Sequence, residues 1–281
     1  MEYPVEHRLR GQEAAKWVPR HDDATTRTQM LILAYHRVNP EVRDGLSVSP
    51  DTLRQHLATL VDRGWDNAVL EEVLGEGPSS LPKKSFAVTL DDGYQDNYFH
   101  AKPVLEEMGV RATVYLVSSM IDSHRPFPWL KLNAPDRFDE MDLHMTTEQL
   151  DGSRGVFTYG SHTATHPMLS ELEIGPARDE IARSKSDLER RLGIDVSTFC
   201  YPAGNFNAGT VDLVREAGYA AAVVTPNRYI PETMHTLHRV GIYSHITPRL
   251  FAVKTSRMFE VAQRNRLFWE TRSRVAKLRS T

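Results

Sequence analysis

The sequence contains a single cysteine, Cys200, among its 281 residues. No disulfide can therefore form within the chain. No apolar run reaches the ~18–20 residues that a membrane-spanning helix requires. The first 30 residues carry charges throughout and lack the apolar stretch of a secretory signal. These absences predict a cytoplasmic protein.

The chain also lacks a large excess of either charge. Its 34 basic residues nearly balance its 37 acidic ones, for a formal net charge of -3. Nucleic-acid-binding domains usually carry a clear basic excess, so we expect no nucleic-acid partner. The length suits one large α/β domain or two small ones, with ample residues for a core.

Short apolar segments alternate with amphipathic ones through most of the chain. The predicted strands lie at 31–38, 85–93, 112–118, 155–162, 197–204, 219–225 and 236–243. Most are almost continuously apolar, which is typical of strands buried on both faces. Repeated alternation of strand and helix predicts a parallel sheet with barrel-like closure.

The pattern divides the chain into three regions. Residues 1–29 are predicted to form a polar N-terminal arm, 30–246 the α/β-barrel domain, and 247–281 a basic helical extension. Within residues 30–246, the proline-containing stretch 119–148 is predicted to be an irregular insertion near the barrel mouth.

The C-terminal stretch 257–281 is basic and partly amphipathic, and it contains Phe268 and Trp269. One interpretation is a helix that lies on an anionic membrane. The other is a helix that packs on the barrel and keeps its basic face in solvent.

Polar residues follow several predicted strands, where the reactive groups of a parallel barrel are found. One strand ends in Asp91-Asp92-Gly93, another in His162, and the first contains His36 near its end. A fourth ends in Tyr201-Pro202-Ala203-Gly204.

His162 and His166 belong to the segment "HTATH", which Pro167 follows directly. The proline disfavours a helical conformation for His166, so a tight turn is expected that aims both imidazoles at one point. Two histidines and one carboxylate form a common open metal site. The alternative is a pair of solvated turn histidines.

Asp91 and Asp92 repel each other unless a cation or hydrogen bonds compensate. Neighbouring side chains of a strand point in opposite directions, so one acid can bind a metal while the other acts as a base. Gly93 permits the tight turn that this requires. The alternative is that "DDG" is only a turn signal.

Two segments, "VTLDDGYQDNYFHAKPVLEEMGVRATVYLV" and "GSHTATHPMLSEL", resemble the first two motifs of the polysaccharide deacetylase family. This is also called the NodB-homology or carbohydrate esterase 4 family. "FCYPAGNFN" resembles its third motif, and "LILAYHRV" the opening strand of one variant group. The resemblance spans roughly residues 30–245. It implies a distorted (β/α)7 barrel, one divalent metal held by Asp, His and His, and removal of acetyl groups from N-acetyl sugars.

By this resemblance, Asp92, His162 and His166 match the metal ligands and Asp91 matches the catalytic base. Zinc is the expected ion, with cobalt, nickel, manganese or iron as substitutes. The implied partner is an N-acetylated carbohydrate, and an intracellular glycoconjugate suits a chain without a secretion signal.

Two positions depart from the family pattern. Cys200 stands where many members have an arginine that braces the base, and Ala203 stands where many have an aromatic residue. Arg239 is the candidate to brace Asp91 instead. Cys200 is expected to pack rather than to act as a nucleophile. A backbone N–H near Tyr201–Ala203 could still bind an oxyanion.

The general acid is a histidine in this family, and two candidates are present. His36 ends the first apolar strand, whereas His238 precedes most of its strand, so His36 is favoured. Two other functions stay open: hydrolysis of an O-acetyl ester or another amide on the same metal site, and a non-catalytic carbohydrate-binding relic.

Overall fold

The computed structural model describes residues 29–41, 44–76, 82–129 and 142–279. Residues 1–28 of the predicted arm and 130–141 of the predicted insertion lie outside this part of the chain.

The described strands form one large parallel sheet and one small pair. In chain order they are β1 (Gln29–Tyr35), β2 (Arg37–Val38), β3 (Ser47–Val48), β4 (Asp66–Asn67), β5 (Lys84–Leu90), β6 (Ala112–Leu116), β7 (Phe157–Ser161), β8 (Thr198–Cys200), β9 (Ala221–Val224), β10 (Leu237–His238) and β11 (Val240–Gly241). The order in the large sheet is β10-β9-β8-β7-β6-β5-β1-β11, with β4 beside β5. Strands β2 and β3 form the separate pair.

A single split strand closes the sheet into a barrel. Strand β10 pairs with β9, and β11 pairs with β1, both in parallel. Only Arg239 separates β10 from β11, so the two ends of the sheet belong to one continuous segment. Counting β10 and β11 together, seven parallel strands surround the interior, and the predicted barrel fold is confirmed.

Helices cover the outside of the barrel. They are α1 (Pro50–Asp62), α2 (Leu70–Glu76), α3 (Lys102–Met108), α4 (Thr147–Asp151), α5 (Ile174–Leu192), α6 (Ala208–Glu216), α7 (Pro248–Lys254), α8 (Arg257–Gln263) and α9 (Arg266–Arg279). Helix α1 begins with Pro50 after Ser49, whose hydroxyl accepts a hydrogen bond from the Thr52 N–H at 3.1 Å. A serine N-cap followed by proline at the first helical position is a common start of a helix.

The amino-terminal end of the barrel is closed by a partly buried polar cluster. The Glu71 carboxylate of α2 accepts hydrogen bonds from the hydroxyls of Thr113, Thr158 and Thr198, at 2.6–2.9 Å. These threonines lie at the starts of β6, β7 and β8. Because this end is filled, access to the interior is from the carboxyl ends of the strands.

Tyr115 fills much of the barrel interior above this cluster. A Cβ at Gly160 of β7 would collide with the Tyr115 ring and the Thr198 hydroxyl. The glycine is therefore required by a close approach of neighbouring side chains rather than by an unusual backbone conformation.

The first predicted strand is shorter than expected. β1 ends at Tyr35, and the chain turns at His36 so that Arg37 joins the separate pair β2–β3. Arg37 is buried and donates hydrogen bonds to Asp96 and Asp142 at 2.8 and 2.7 Å. This ion-pair cluster draws the backbone away from the barrel directly after β1.

No α-helix begins directly after "HTATH". A short 3-10 turn spans Leu169–Glu171, and α5 begins only at Ile174. Pro167 is compatible with this delay because it holds the preceding residue out of the helical region.

The C-terminal helices pack on the barrel domain through aromatic side chains. Phe251 of α7 stacks on His56 of α1 with 3.9 Å between ring centroids, and Trp269 of α9 is buried. Gln29 of β1 donates a hydrogen bond to Glu260 of α8 at 2.9 Å. These contacts agree with the interpretation of a packed extension. The division at residue 246 and the membrane contact of 257–281 stay predictions.

No helix in the described ranges is both long and apolar enough to cross a membrane.

Candidate active site

Asp91 follows β5 and is paired with Arg239 inside the barrel. The guanidinium donates from Nη1 to Asp91 Oδ1 at 2.6 Å and from Nη2 to Oδ2 at 2.7 Å. Both side chains are almost completely buried. Arg239 is the residue that separates β10 from β11, so the split strand itself delivers the cation. A bidentate arginine of this kind fixes the plane of the carboxylate.

Asp92 points toward the two histidines of "HTATH". Its Oδ1 lies 3.6 Å from His162 Nε2 and 3.4 Å from His166 Nε2. This oxygen is buried and has no hydrogen-bond partner in the part of the chain that the structure describes. His162 Nδ1 lies 2.8 Å from the Cys200 carbonyl, so Nδ1 donates and Nε2 keeps its lone pair toward Asp92.

These three groups fit a divalent metal ion. Their ligand atoms lie within 4.8 Å of one another. An unpartnered buried carboxylate oxygen beside two imidazole nitrogens is a donor set suited to zinc and related ions. The structure thus brings together Asp92, His162 and His166, as the sequence predicts.

Backbone strain is concentrated at this cluster. Five described residues other than glycine have a positive φ, and four of them are Asp92, Thr163, His166 and Ala203. Left-handed conformations of such residues cost of order 1–3 kcal/mol each and persist only where the surrounding structure imposes them. The turn at His166 is imposed in part by its own N–H, which donates to the Thr163 hydroxyl at 2.9 Å.

The two carboxyl groups have opposite pKa shifts. Burial would raise the pKa of Asp91, but the charge and hydrogen bonds of Arg239 outweigh it and hold that pKa below its ordinary value. Burial and the charge of Asp91 raise the pKa of Asp92 well above the ordinary value. Asp91 is therefore the acid that stays ionised without further help, whereas Asp92 needs a cation to carry its charge.

Burial also lowers the pKa of the two histidines, to about 4 for His162 and about 3 for His166. Both imidazoles are consequently neutral at pH 7. The neutral form is the one that can donate a lone pair to a metal.

His36 lies beside Asp91, with 3.8 Å between its Nε2 and Asp91 Oδ2. Its pKa is lowered by burial, which the negative charge of Asp91 partly opposes. His238 has a different environment, because its Nε2 lies 3.0 Å from the Ile230 carbonyl. Of the two histidines, only His36 is among the residues that line the cavity described below.

The segment that resembles the third motif offers few free hydrogen-bond donors to the cavity. The Tyr201 hydroxyl donates to the His235 carbonyl, and the backbone N–H of Tyr201 donates to the Val223 carbonyl. Because Pro202 has no N–H, the oxyanion donor predicted near Tyr201–Ala203 is reduced to the N–H of Ala203. The Cys200 thiol is buried, which raises its pKa well above the ordinary value, and it lies 3.1 Å from Arg239 Nη2.

A cavity of about 460 Å³ lies at the carboxyl ends of the strands. Every residue predicted for the site contributes to its lining: His36, Asp91, Asp92, His162, His166, Tyr201, Ala203 and Arg239. The sequence did not indicate Trp129, whose ring stacks on His166 with 4.1 Å between centroids. The only indication in the sequence was that Trp129 belongs to the stretch 119–148, which was predicted to lie near the barrel mouth.

Comparison with known proteins identifies the class of this fold and site. The model of the family described as "Polysaccharide deacetylase" matches residues 79–222. The chain is 25% identical over 243 residues to YxkH of Bacillus subtilis (strain 168), which carries a provisional assignment as a polysaccharide deacetylase. The match covers 85% of this chain and 78% of YxkH.

A shorter match, 30% identical over 97 residues, is with the poly-beta-1,6-N-acetyl-D-glucosamine N-deacetylase of Escherichia coli (strain K12). It covers 33% of this chain but only 14% of that enzyme. Among solved structures, the Streptococcus pyogenes deacetylase PplD in complex with acetate has a TM-score of 0.69 at 24% identity, over 82% of this chain and 100% of PplD. The de-N-acetylase of Aggregatibacter actinomycetemcomitans has a TM-score of 0.67 at 19% identity, over 80% and 98% respectively.

The molecule is thus an α/β-barrel protein of the deacetylase class. The chain belongs to the polysaccharide deacetylase family, and it is an enzyme.

The buried pair of Arg239 and Asp91 yields a prediction about stability. Arg239→Gln should lower the free energy of unfolding by about 3–5 kcal/mol, because it leaves a buried carboxylate without its partner. The double variant Asp91→Asn/Arg239→Gln should regain part of this loss, since neither buried charge remains. Urea denaturation at pH 7 measures both.

Arg178→Gln is the matched control, because Arg178 and Glu216 form a pair at 2.7 Å in which both side chains are 54% exposed. Its effect should stay below about 1 kcal/mol. A loss for Arg239→Gln no larger than that of the control would contradict the assignment of Arg239.

Proposed function

We propose that this enzyme removes the acetyl group from an N-acetylated sugar or glycoconjugate with the help of one divalent metal ion, most plausibly zinc. The observation that carries the proposal is the unpartnered Oδ1 of buried Asp92, 3.4 and 3.6 Å from the Nε2 atoms of His166 and His162. Family membership supports the carbohydrate amide as substrate. The poly-N-acetylglucosamine deacetylase activity named for one relative points the same way.

Asp92, His162 and His166 would hold the ion. When bound, it would supply a positive charge that polarises the acetyl carbonyl and acidifies a water molecule. Arg239 and Asp91 already compensate each other, so the charge of Asp92 is free to balance the metal.

Asp91 is the proposed general base. Oδ1 accepts from Arg239 and from the Cys200 thiol, whereas Oδ2 accepts only from Arg239 among the described residues and keeps a lone pair that can take a proton from water. Arg239 keeps the carboxylate ionised and oriented at the cost of basicity. The base therefore depends on a water molecule that is already acidified.

His36 is the proposed general acid, since an amide nitrogen leaves poorly without a proton. Its Nε2 is just beyond hydrogen-bond reach of Asp91 Oδ2, and such contacts often tighten only in the substrate complex. The lowered pKa leaves His36 mostly neutral at pH 7. We therefore expect the proton that Asp91 takes from water to pass through His36 to the departing amine. The N–H of Ala203 is the proposed protein donor to the oxyanion.

The same groups would hydrolyse an O-acetyl ester, which keeps the esterase function as the alternative. The identity of the sugar is not part of the proposal. The cytoplasmic location stays a prediction.

The first test concerns the metal. Wild-type protein stripped with a chelator and reloaded with zinc should hold about one ion per chain, measured by elemental mass spectrometry. His162→Ala and Asp92→Ala should each lose most of it, because two protein ligands rarely bind zinc tightly. His238→Ala, outside the cavity, is the control that should keep it. Stoichiometric zinc in both ligand variants would rule the site out.

The base is tested with Asp91→Asn. This variant should retain zinc but release acetate from an N-acetylglucosamine oligomer roughly 10²–10⁴-fold more slowly, the usual range for loss of a general base.

His36→Ala should impair the same amide substrate far more than p-nitrophenyl acetate, whose leaving group needs no proton. Normal amide turnover by His36→Ala, with inactivity of His238→Ala, would assign the acid to His238.

A further inference from the structure

One wall of the active-site cavity is formed by the C-terminal helices rather than by the barrel. Lys254 of α7, Phe259 and Gln263 of α8, and Arg272 of α9 contribute to the same lining as Asp91 and Asp92. Two of these four residues are cations. No motif of the family accounts for them, and the reaction proposed above does not use them.

Among the residues that the structure describes, neither cation has a carboxylate partner. Lys254 Nζ donates one hydrogen bond to the Gly241 carbonyl at 2.8 Å and lies 5.8 Å from the centre of the Tyr243 ring. The Arg272 guanidinium lies 5.2 Å from the centre of the Trp269 ring. An ammonium has three donors and a guanidinium has five, so both retain unused donors.

The two charges are also close enough to affect each other. Burial lowers the pKa of Lys254, and the positive charge of Arg272 lowers it further. Asp91 and Asp92 are the only carboxylates among the described lining residues, and Arg239 and the proposed metal already occupy them. The cavity therefore holds two uncompensated cations next to an otherwise balanced site.

We propose that Lys254 and Arg272 form a subsite for a phosphoryl group carried by the N-acetylated sugar substrate. Lysine binds phosphate as a compact charge, and arginine binds it through its planar fork. A neutral polysaccharide could accept hydrogen bonds from this pair but carries no negative charge to balance it. The inference rests on the proposed deacetylase function of the cavity, and it deepens that function by naming the substrate class as a phosphorylated amino sugar.

Binding to the zinc-loaded Asp91→Asn variant tests the subsite without turnover. Isothermal titration should give a lower Kd for N-acetylglucosamine 1-phosphate than for the methyl glycoside of N-acetylglucosamine. Adding Lys254→Met or Arg272→Gln should weaken the phosphorylated ligand by about tenfold more than the glycoside, the usual effect of losing a charge-assisted hydrogen bond. Arg257→Gln, on the exposed surface of α8, is the control and should not discriminate between the two ligands.

Equal Kd values for the two ligands in the parent variant, or equal weakening of both by Lys254→Met and Arg272→Gln, would overturn the subsite. Acetate release from the glycoside by wild-type protein is measured in parallel, so a failure of the deacetylase function is recognised separately. A third ligand, a polyprenyl-diphosphate N-acetylglucosamine in detergent, distinguishes a lipid-linked from a soluble source. Tighter binding of either phosphorylated form than of the glycoside supports the subsite when Lys254→Met or Arg272→Gln removes the difference.

A second inference concerns the outer face of the same helices. Leu250 and Val253 lie three residues apart on α7, and Met258 and Val261 are likewise spaced on α8. Their exposed fractions are 36%, 53%, 79% and 57%. Leu267 at the start of α9 is 69% exposed. Residues three apart share one side of a helix, so each short helix presents an apolar pair to solvent.

The surroundings of these apolar residues are basic. Residues 247–281 contain nine basic side chains and two acidic ones. Both acids, Glu260 and Glu270, are already paired with Arg264 and Arg266. Exposed apolar side chains flanked by unpaired cations are typical of surfaces that bind anionic membranes.

We infer that this surface, Leu250, Val253, Met258, Val261 and Leu267 with the neighbouring Arg249 and Arg257, contacts an anionic phospholipid bilayer. The sequence-based interpretation placed such a contact within 257–281. The proposed surface also includes α7, and it is distinct from the buried side chains Phe251 and Trp269 through which the extension packs.

Sedimentation with vesicles tests this contact. Wild-type protein should bind phosphatidylglycerol vesicles and not phosphatidylcholine vesicles. Replacing Leu250, Val253, Met258 and Val261 together with serine should reduce binding by at least about tenfold. The control replaces Val61 and Ile174, which are 49% and 59% exposed on other helices, with serine and should bind normally.

Absence of wild-type binding, or equal binding by the fourfold serine variant, would refute the contact. Concentration-dependent dimerisation that the serine variant abolishes, without vesicle binding, would assign the surface to a second copy of the chain and would also refute it.

Discussion

Two adjacent carboxyl groups, Asp91 and Asp92, are buried at the end of one strand, and much of this structure follows from that arrangement. Neighbouring buried acids cannot both be ionised unless positive charge reaches each of them. Arg239 supplies it to Asp91 through two hydrogen bonds. Asp92 is left with an unpartnered oxygen that faces two neutral imidazoles. The contrast between a compensated and an uncompensated acid underlies the proposed division into a base and a metal ligand.

The replacement of a motif arginine by Cys200 illustrates how the same charge can be provided from another direction. Cys200 is small, fully buried and close to both Asp91 and Arg239. An arginine at this position would occupy the interior space that Arg239 now fills beside Tyr115. In this chain the guanidinium next to Asp91 comes from the residue between β10 and β11.

The sequence was sufficient for the features that depend on local pattern. Buried strands and their polar ends indicated the barrel, and Pro167 indicated that His166 lies in a turn. The break after β1 was missed, because it depends on the pairing of Arg37 with Asp96 and Asp142, which are distant in sequence. The contributions of Trp129, Lys254 and Arg272 were missed as well. Their side chains reach the cavity only through tertiary packing, which no spacing in the sequence reveals.

Because the split strand that closes the barrel comes late in the chain, the site can be completed only after most of the chain has been synthesised. Asp91 meets Arg239 across 148 residues of sequence, and β11 must pair with β1 at the opposite end of the domain. A nascent chain that has emerged only as far as β9 therefore contains both acids and both histidines but not the arginine. Its open barrel would place two carboxyl groups against an apolar interior without a counter-charge, which disfavours premature collapse. Closure of the barrel and the pairing of Asp91 with Arg239 thus depend on the same late segment of the chain.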